Sequence, residues 1–163
     1  VDEPDLQIVA FNVDHSPIHP AVGYRIRYKD RTLVISGDTK QSAAVEREAK
    51  GVDVLVHEAL SMPLVQSMNR AANQAGRPNL AQIMTDIQNY HTSPEQAAET
   101  AQSAGAGYLL STHIVPQLPL PGLQKVFLGD ATERFDGPIK VGVDGDFISL
   151  PANSTEILVS NRL

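Results

Sequence analysis

Arg31–Leu60, RTLVISGDTKQSAAVEREAKGVDVLVHEAL, is the stretch whose reading decides the fold. An apolar run, Leu33–Ile35, is stopped by Ser36-Gly37-Asp38-Thr39. A segment of small and charged residues follows, and a second apolar run, Val52–Val56, ends in His57-Glu58. This is the pattern of strand, polar turn, helix and strand. In a parallel βαβ unit the turn after each strand lies at the carboxyl edge of the sheet, where polar groups converge on ligands without being buried. The pattern therefore predicts Asp38, His57 and Glu58 side by side on one rim. The intervening helix is expected over Gln41–Lys50, with Thr39 as N-cap and Gly51 just past its end.

Working outward, Leu6–Val13 (LQIVAFNV) reads as a strand that delivers Asp14 and His15, broken afterwards by Ser16-Pro17 and His19-Pro20. Gly23–Lys29 alternates Tyr24, Ile26 and Tyr28 against Arg25, Arg27 and Lys29, the period of a half-buried strand, and turns back through Lys29-Asp30-Arg31 as a hairpin. Ser61–Ala75 and Asn79–Tyr90 carry apolar residues at helical spacing and are divided by Gly76-Arg77-Pro78, which predicts two helices flanking the rim as a flap. His91-Thr92-Ser93-Pro94-Glu95 is a helix start, and the alanine-rich helix through Ala104 is suited to close packing on a sheet. Tyr108–Ser111 reads as a buried strand delivering Thr112 and His113. A short helix at Leu123–Leu128 and strands at Ile139–Val143, Phe147–Leu150 and Ile157–Val159 complete the expected elements.

The chain of 163 residues is 42% hydrophobic, enough for the core of one domain. A formal charge of −6 argues against broad electrostatic capture of nucleic acid. Cysteine is absent, so any metal must be held by imidazole and carboxylate. No apolar run approaches the ~18 residues of a membrane span, and the first residues do not read as a signal segment. These features favour a cytoplasmic setting, with a periplasmic one left open.

Five histidines stand at 15, 19, 57, 91 and 113. At least three fall where a strand ends or a helix begins. Imidazoles gathered with Asp38 on a rim are what a zinc-type ion requires, namely neutral nitrogen donors, a carboxylate and an open position for water. The alternative is an ordinary polar rim, with Asp38 capping a helix. His57 is read as structural, its side chain turned from Glu58 by strand alternation, and His19 as a loop residue.

The strings FNVDHSPIHPAVGYRI, VISGDT, DVLVHEAL, YHTSPEQAAETA and YLLSTHI, in that order, resemble the carboxyl-terminal half of the metallo-β-lactamase fold, in particular its ribonuclease Z-like branch. The resemblance runs from about Leu6 to Ile114. It implies an α/β chain forming the second half of a four-layer αββα sandwich. It also implies a metal-dependent hydrolase in which a metal-bound hydroxide attacks a phosphodiester. Carried over residue by residue, His15 and His113 resemble metal ligands, and Asp38 resembles the carboxylate that bridges two ions. Glu58 and His91 resemble the pair that assists at the scissile phosphate and leaving group. The implied cofactor is zinc, two ions in the complete site, with manganese as an alternative. A carboxylate can bridge because each oxygen serves one cation, and two cations stabilise negative charge at the attacked centre.

The family's His-x-His-x-Asp-His motif does not occur in these 163 residues. His15, Asp38 and His113 are too few for two well-held ions. The expectation is therefore a partial domain, inactive alone, whose sheet packs on an amino-terminal half or on another copy of the chain as a homodimer. Ile114-Val115-Pro116-Gln117 and the long Ser61–Tyr90 segment depart from tRNA-processing members. A small ester, as in arylsulfatase- or lactonase-like enzymes of the fold, stands beside the nucleic-acid substrate. The rival outside enzymes is a non-catalytic binding module with a degenerate metal site.

Overall fold

A computed structural model describes residues 1–163, the side chain of Pro121 excepted. Its centre is a seven-stranded sheet in which every strand neighbours the next in sequence. The strands are β1 (Asp2–Glu3), β2 (Leu6–Asn12), β3 (Val22–Tyr28), β4 (Arg31–Ile35), β5 (Val54–Leu60), β6 (Leu109–Val115) and β7 (Ile139–Val141). The first four pair antiparallel, and β4 through β7 run parallel. The change of direction follows from the connections. Lys29-Asp30 joins β3 to β4 as a tight hairpin with Tyr28 opposite Arg31, whereas helices separate β4 from β5 and β5 from β6. Two further strands, β8 (Asp146–Ser149) and β9 (Leu158–Asn161), form a separate antiparallel pair.

Helices α1 (Ala43–Glu48) and α4 (Pro94–Ala104) cover one face of the sheet. Val45 of the first with Ala49 at its C-cap, and Ala97, Ala98, Ala101 and Ala104 of the second, pack with Phe11, Val34, Leu55 and Leu109. Alanines bring the helix axis close to the strands, as the composition predicts. The register places Ile8, Ile26, Leu33, Ile35, Val54, Val56 and Leu110 on the opposite face, where Val54 is buried and the others are only half-buried. A sheet apolar on both faces but covered on one is the layer arrangement expected of half a sandwich.

Several boundaries differ from the sequence reading. Helix α1 starts late, because Ser42 rather than Thr39 caps it, accepting from the Ala44 N–H. Thr39 is instead fully buried and donates its hydroxyl to the carbonyls of Asp14 and Lys40. Strand β5 runs through Leu60, so His57 and Glu58 lie inside it rather than beyond it. Pairing with β6 on one side, together with the Glu58 N–H donating to Ser36 Oγ, extends the strand past its apolar run. The start of α4 is as read: Ser93 forms a capping box with Gln96, and Pro94 occupies the first turn. The flap is a pair of helices, α2 (Met62–Gln74) and α3 (Pro78–Asp86), followed by a 3₁₀ turn at Ile87–Asn89; α5 (Gln124–Leu128) is the short helix expected near Leu123.

Gly37 shows why a glycine follows β4. Its φ is +64°, and a Cβ there would stand 2.3 Å from the Val22 carbonyl oxygen. Only glycine permits this turn to pass so close to the start of β3. Among the described residues, no helix is long and apolar enough to cross a membrane.

Candidate functional site

The carboxyl edge of β4, β5 and β6 gathers most of the residues singled out above. Glu58 is the hidden centre. Its side chain is 1% exposed, and its Oε1 accepts from the Thr92 N–H at 3.0 Å, His91 Nδ1 at 3.1 Å and the Thr39 N–H at 3.2 Å. One buried carboxylate oxygen thus ties together the loop after β4, strand β5 and the approach to α4. Thr92 adds a second tie, its hydroxyl donating to the Thr39 carbonyl at 2.6 Å. Glu58 thus lies beneath the surface, with its carboxylate against His91 Nδ1.

Above this layer four side chains come together. The ring of His91 lies 5.0 Å from that of His15 and 5.8 Å from that of His113. His113 Nε2 stands 3.5 Å from Asp38 Oδ2, and both side chains are about half exposed. A β-bulge places His113 there. Thr112 pairs with Glu58 and Ile114 with Ala59, leaving His113 as the extra residue with φ +43°. A bulge turns one side chain away from the regular alternation of a strand, and here it turns His113 toward Asp38.

His57 is not part of this rim. It is fully buried, and its Nδ1 donates to the Glu58 carbonyl at 2.7 Å. Strand alternation separates it from Glu58, as expected, but being inside β5 removes it from the edge where the turn pattern put it. Burial pushes the His57 imidazole below its ordinary value of 6.5. The folded state thus resists a proton that the unfolded chain accepts. This contribution to stability is full above about pH 6.5 and is lost as the pH falls toward the folded value. Urea unfolding between pH 8 and 5 is expected to show the decline in the wild type and a flatter profile in His57→Gln. His19 remains on its exposed loop, 3.4 Å from Ser16 Oγ. There Ser16 also holds the Asp14 carboxyl below the usual range, through its N–H first and then its hydroxyl.

The sequence reading gives Thr39 and Tyr90 no part in the site: Thr39 reads as an N-cap, and Tyr90 as the last residue of a helix. Tyr90 contacts both His15 and His91, with ring centroids 5.0 and 5.2 Å away. An aromatic residue immediately before His91 was the available signal. Beside His113 an open cavity of about 1060 Å³ is lined in part by Thr112, Gln117, Leu118 and Asp144.

The donor types suit a zinc-type ion. His15 and His91 each have Nδ1 engaged with an oxygen acceptor, which leaves Nε2 as the outward nitrogen. The count falls short: among the described residues, no three or more histidine, aspartate or glutamate side chains form a group that could hold a metal. Asp38 and His113 face one another, and a complete shell needs three or four ligands.

A mixed sheet with helices on one face, and a polar edge built from His15, Asp38, Glu58, His91 and His113, defines a β-lactamase-type α/β domain. The chain belongs to that superfamily: the family model described as beta-lactamase superfamily domain matches residues 1–114. Within it, the chain is 37% identical over 131 residues to ribonuclease Z of Mycolicibacterium gilvum, covering 80% of this chain and 42% of that protein. It is 32% identical over 153 residues to ribonuclease Z of Mycobacterium avium, covering 94% of this chain and 50% of the other. The chain thus spans about half the length of these curated relatives. Among solved structures, the metallo-beta-lactamase fold protein YhfI from Bacillus subtilis superposes with a TM-score of 0.59 at 20% identity, over 85% of this chain and 47% of that one. The short form of human tRNase Z gives 0.50 at 21% identity, over 70% of this chain and 38% of that one.

Proposed function

We propose that these residues form the carboxyl-terminal half of a metal-dependent hydrolase acting on a phosphodiester, in the manner of the ribonucleases Z they are similar to. The observation that carries this reading is the layered edge: Glu58 buried under His91, with His113 and Asp38 facing each other beside it. Asp38, His15 and His113 donate to the metal site, and donors outside these 163 residues complete it. When bound, a zinc-type pair of ions supplies Lewis acidity at the attacked centre. His91, oriented by Glu58 through its Nδ1–H, acts as the imidazolium: its Nε2–H gives its proton to the leaving oxygen, and the ring is left neutral with the remaining proton on Nδ1. The half-buried sheet face packs on the amino-terminal half of the sandwich, which excludes water from it.

One observation favours a small ester within the same chemistry. The α2–α3 arm, Ser61–Tyr90, carries only Arg70 and Arg77 as cations, against Asp86. An arm so poor in positive charge, on a chain of net charge −6, offers little to a long polyanion. Parallel assays of the full-length protein on a precursor tRNA, bis-p-nitrophenyl phosphate, p-nitrophenyl sulfate and a lactone separate these substrates. In the same protein, Asp38→Ala is expected to lower bound metal, by elemental analysis, and to remove hydrolysis. Full activity in Asp38→Ala would show that this carboxylate is no ligand.

A further inference from the structure

We propose that Tyr90 is a positioning residue for His15, its main-chain carbonyl fixing the imidazole in the Nδ1–H tautomer and its ring holding the imidazole plane. His15 Nδ1 lies 2.9 Å from the Tyr90 carbonyl oxygen. A carbonyl oxygen only accepts, so Nδ1 carries the proton, and in the neutral ring the lone pair is on Nε2. The Tyr90 ring meets the His15 ring edge to face, at 85° and 5.0 Å between centroids, and also stands 5.2 Å from His91. It thus contacts both imidazoles.

Nothing local does this for His15. The residue sits just past β2, in a segment interrupted by Pro17 and Pro20, and its own neighbours engage only its backbone, through the Ile18 N–H. The side-chain anchor comes from 75 residues away, at the foot of the α2–α3 arm. Free neutral histidine favours the proton on Nε2, so the opposite tautomer has to be imposed. A backbone carbonyl on the far nitrogen is the device by which proteins present Nε2 to a metal. The arm therefore has a role besides covering the rim, since its last residue sets which nitrogen of His15 is free. The inference rests on the reading of His15 as a donor, but its test does not.

The test is a long-range proton–nitrogen correlation spectrum of the metal-free, full-length protein, labelled in histidine nitrogen, at a pH of about 8, where an ordinary imidazole is neutral. His15 is expected to show a protonated Nδ1 and a bare Nε2 in the wild type and in Tyr90→Phe, and a mixture of tautomers in Tyr90→Ala. His57, whose Nδ1 is held by the Glu58 carbonyl, serves as the internal standard for intact folding. A protonated Nε2 on His15 in the wild type, or a Tyr90→Ala spectrum identical to the wild type, overturns the proposal. Should Tyr90→Ala fail to fold, Tyr90→Leu keeps most of the bulk without the aromatic ring, and the wild-type spectrum alone still decides the tautomer. Zinc added afterwards separates the two ideas: an unmoved Nε2 signal sinks the donor role of His15 and leaves the tautomer assignment standing.

Discussion

His91→Ala in the full-length protein is expected to lower kcat by roughly 10²–10⁴, the range that a positioned general acid supplies. The geometry says why the loss should fall on chemistry rather than on folding. His91 contributes one of three donors to Glu58 Oε1, and the Thr39 and Thr92 N–H groups remain after its removal. The leaving group distinguishes a proton donor from a mere wall. A nitrophenolate departs without help, whereas the alkoxide of an RNA or alkyl phosphodiester needs a proton. The loss should therefore be large on alkyl diesters and small on bis-p-nitrophenyl phosphate. Equal losses on both would assign His91 to substrate binding instead.

Glu58→Leu is expected to have the largest effect on stability. The leucine fills the space but accepts nothing, which strands the N–H groups of Thr39 and Thr92 and the Nδ1–H of His91 in a site where Glu58 itself is 1% exposed. Each stranded buried donor costs about 1–3 kcal/mol, so the sum over the three is roughly 3–9 kcal/mol. A domain of this kind has ~5–15 kcal/mol in total. Urea denaturation should show the midpoint collapse, or the variant should fail to accumulate folded. Glu58→Gln keeps one oxygen acceptor and is expected to lose far less, while weakening the hold on His91. A Glu58→Leu protein as stable as the wild type would mean that this carboxylate does not hold the rim together.

The two variants together separate orienting from reacting. On the proposed function Glu58 affects the chemical step through His91, so Glu58→Gln should reduce kcat by less than His91→Ala does and show the same dependence on leaving group. The additive result, in which the double variant loses the sum of both, would contradict a shared pathway.

What the chain determines locally was legible in its residues. The β3–β4 hairpin follows from alternation and a two-residue turn. Strand β4 with its Gly37 turn follows from an apolar run and a backbone that only glycine can adopt there, and α4 follows from the Ser93-Pro94 start and its alanines. Such signals lie within a few residues of one another, where sterics, capping and burial period act directly. The site residues, nominated by strand ends and by the family resemblance, needed distances that no spacing contains. Tertiary pairing extended β5 across His57 and Glu58 and so buried both. It also opened the bulge that aims His113 at Asp38, turned Thr39 from an expected cap into a buried tie, and set Tyr90 against His15. Each of these is settled by a partner roughly twenty or more residues distant, whose hydrogen bond or ring contact exists only once the sheet has formed.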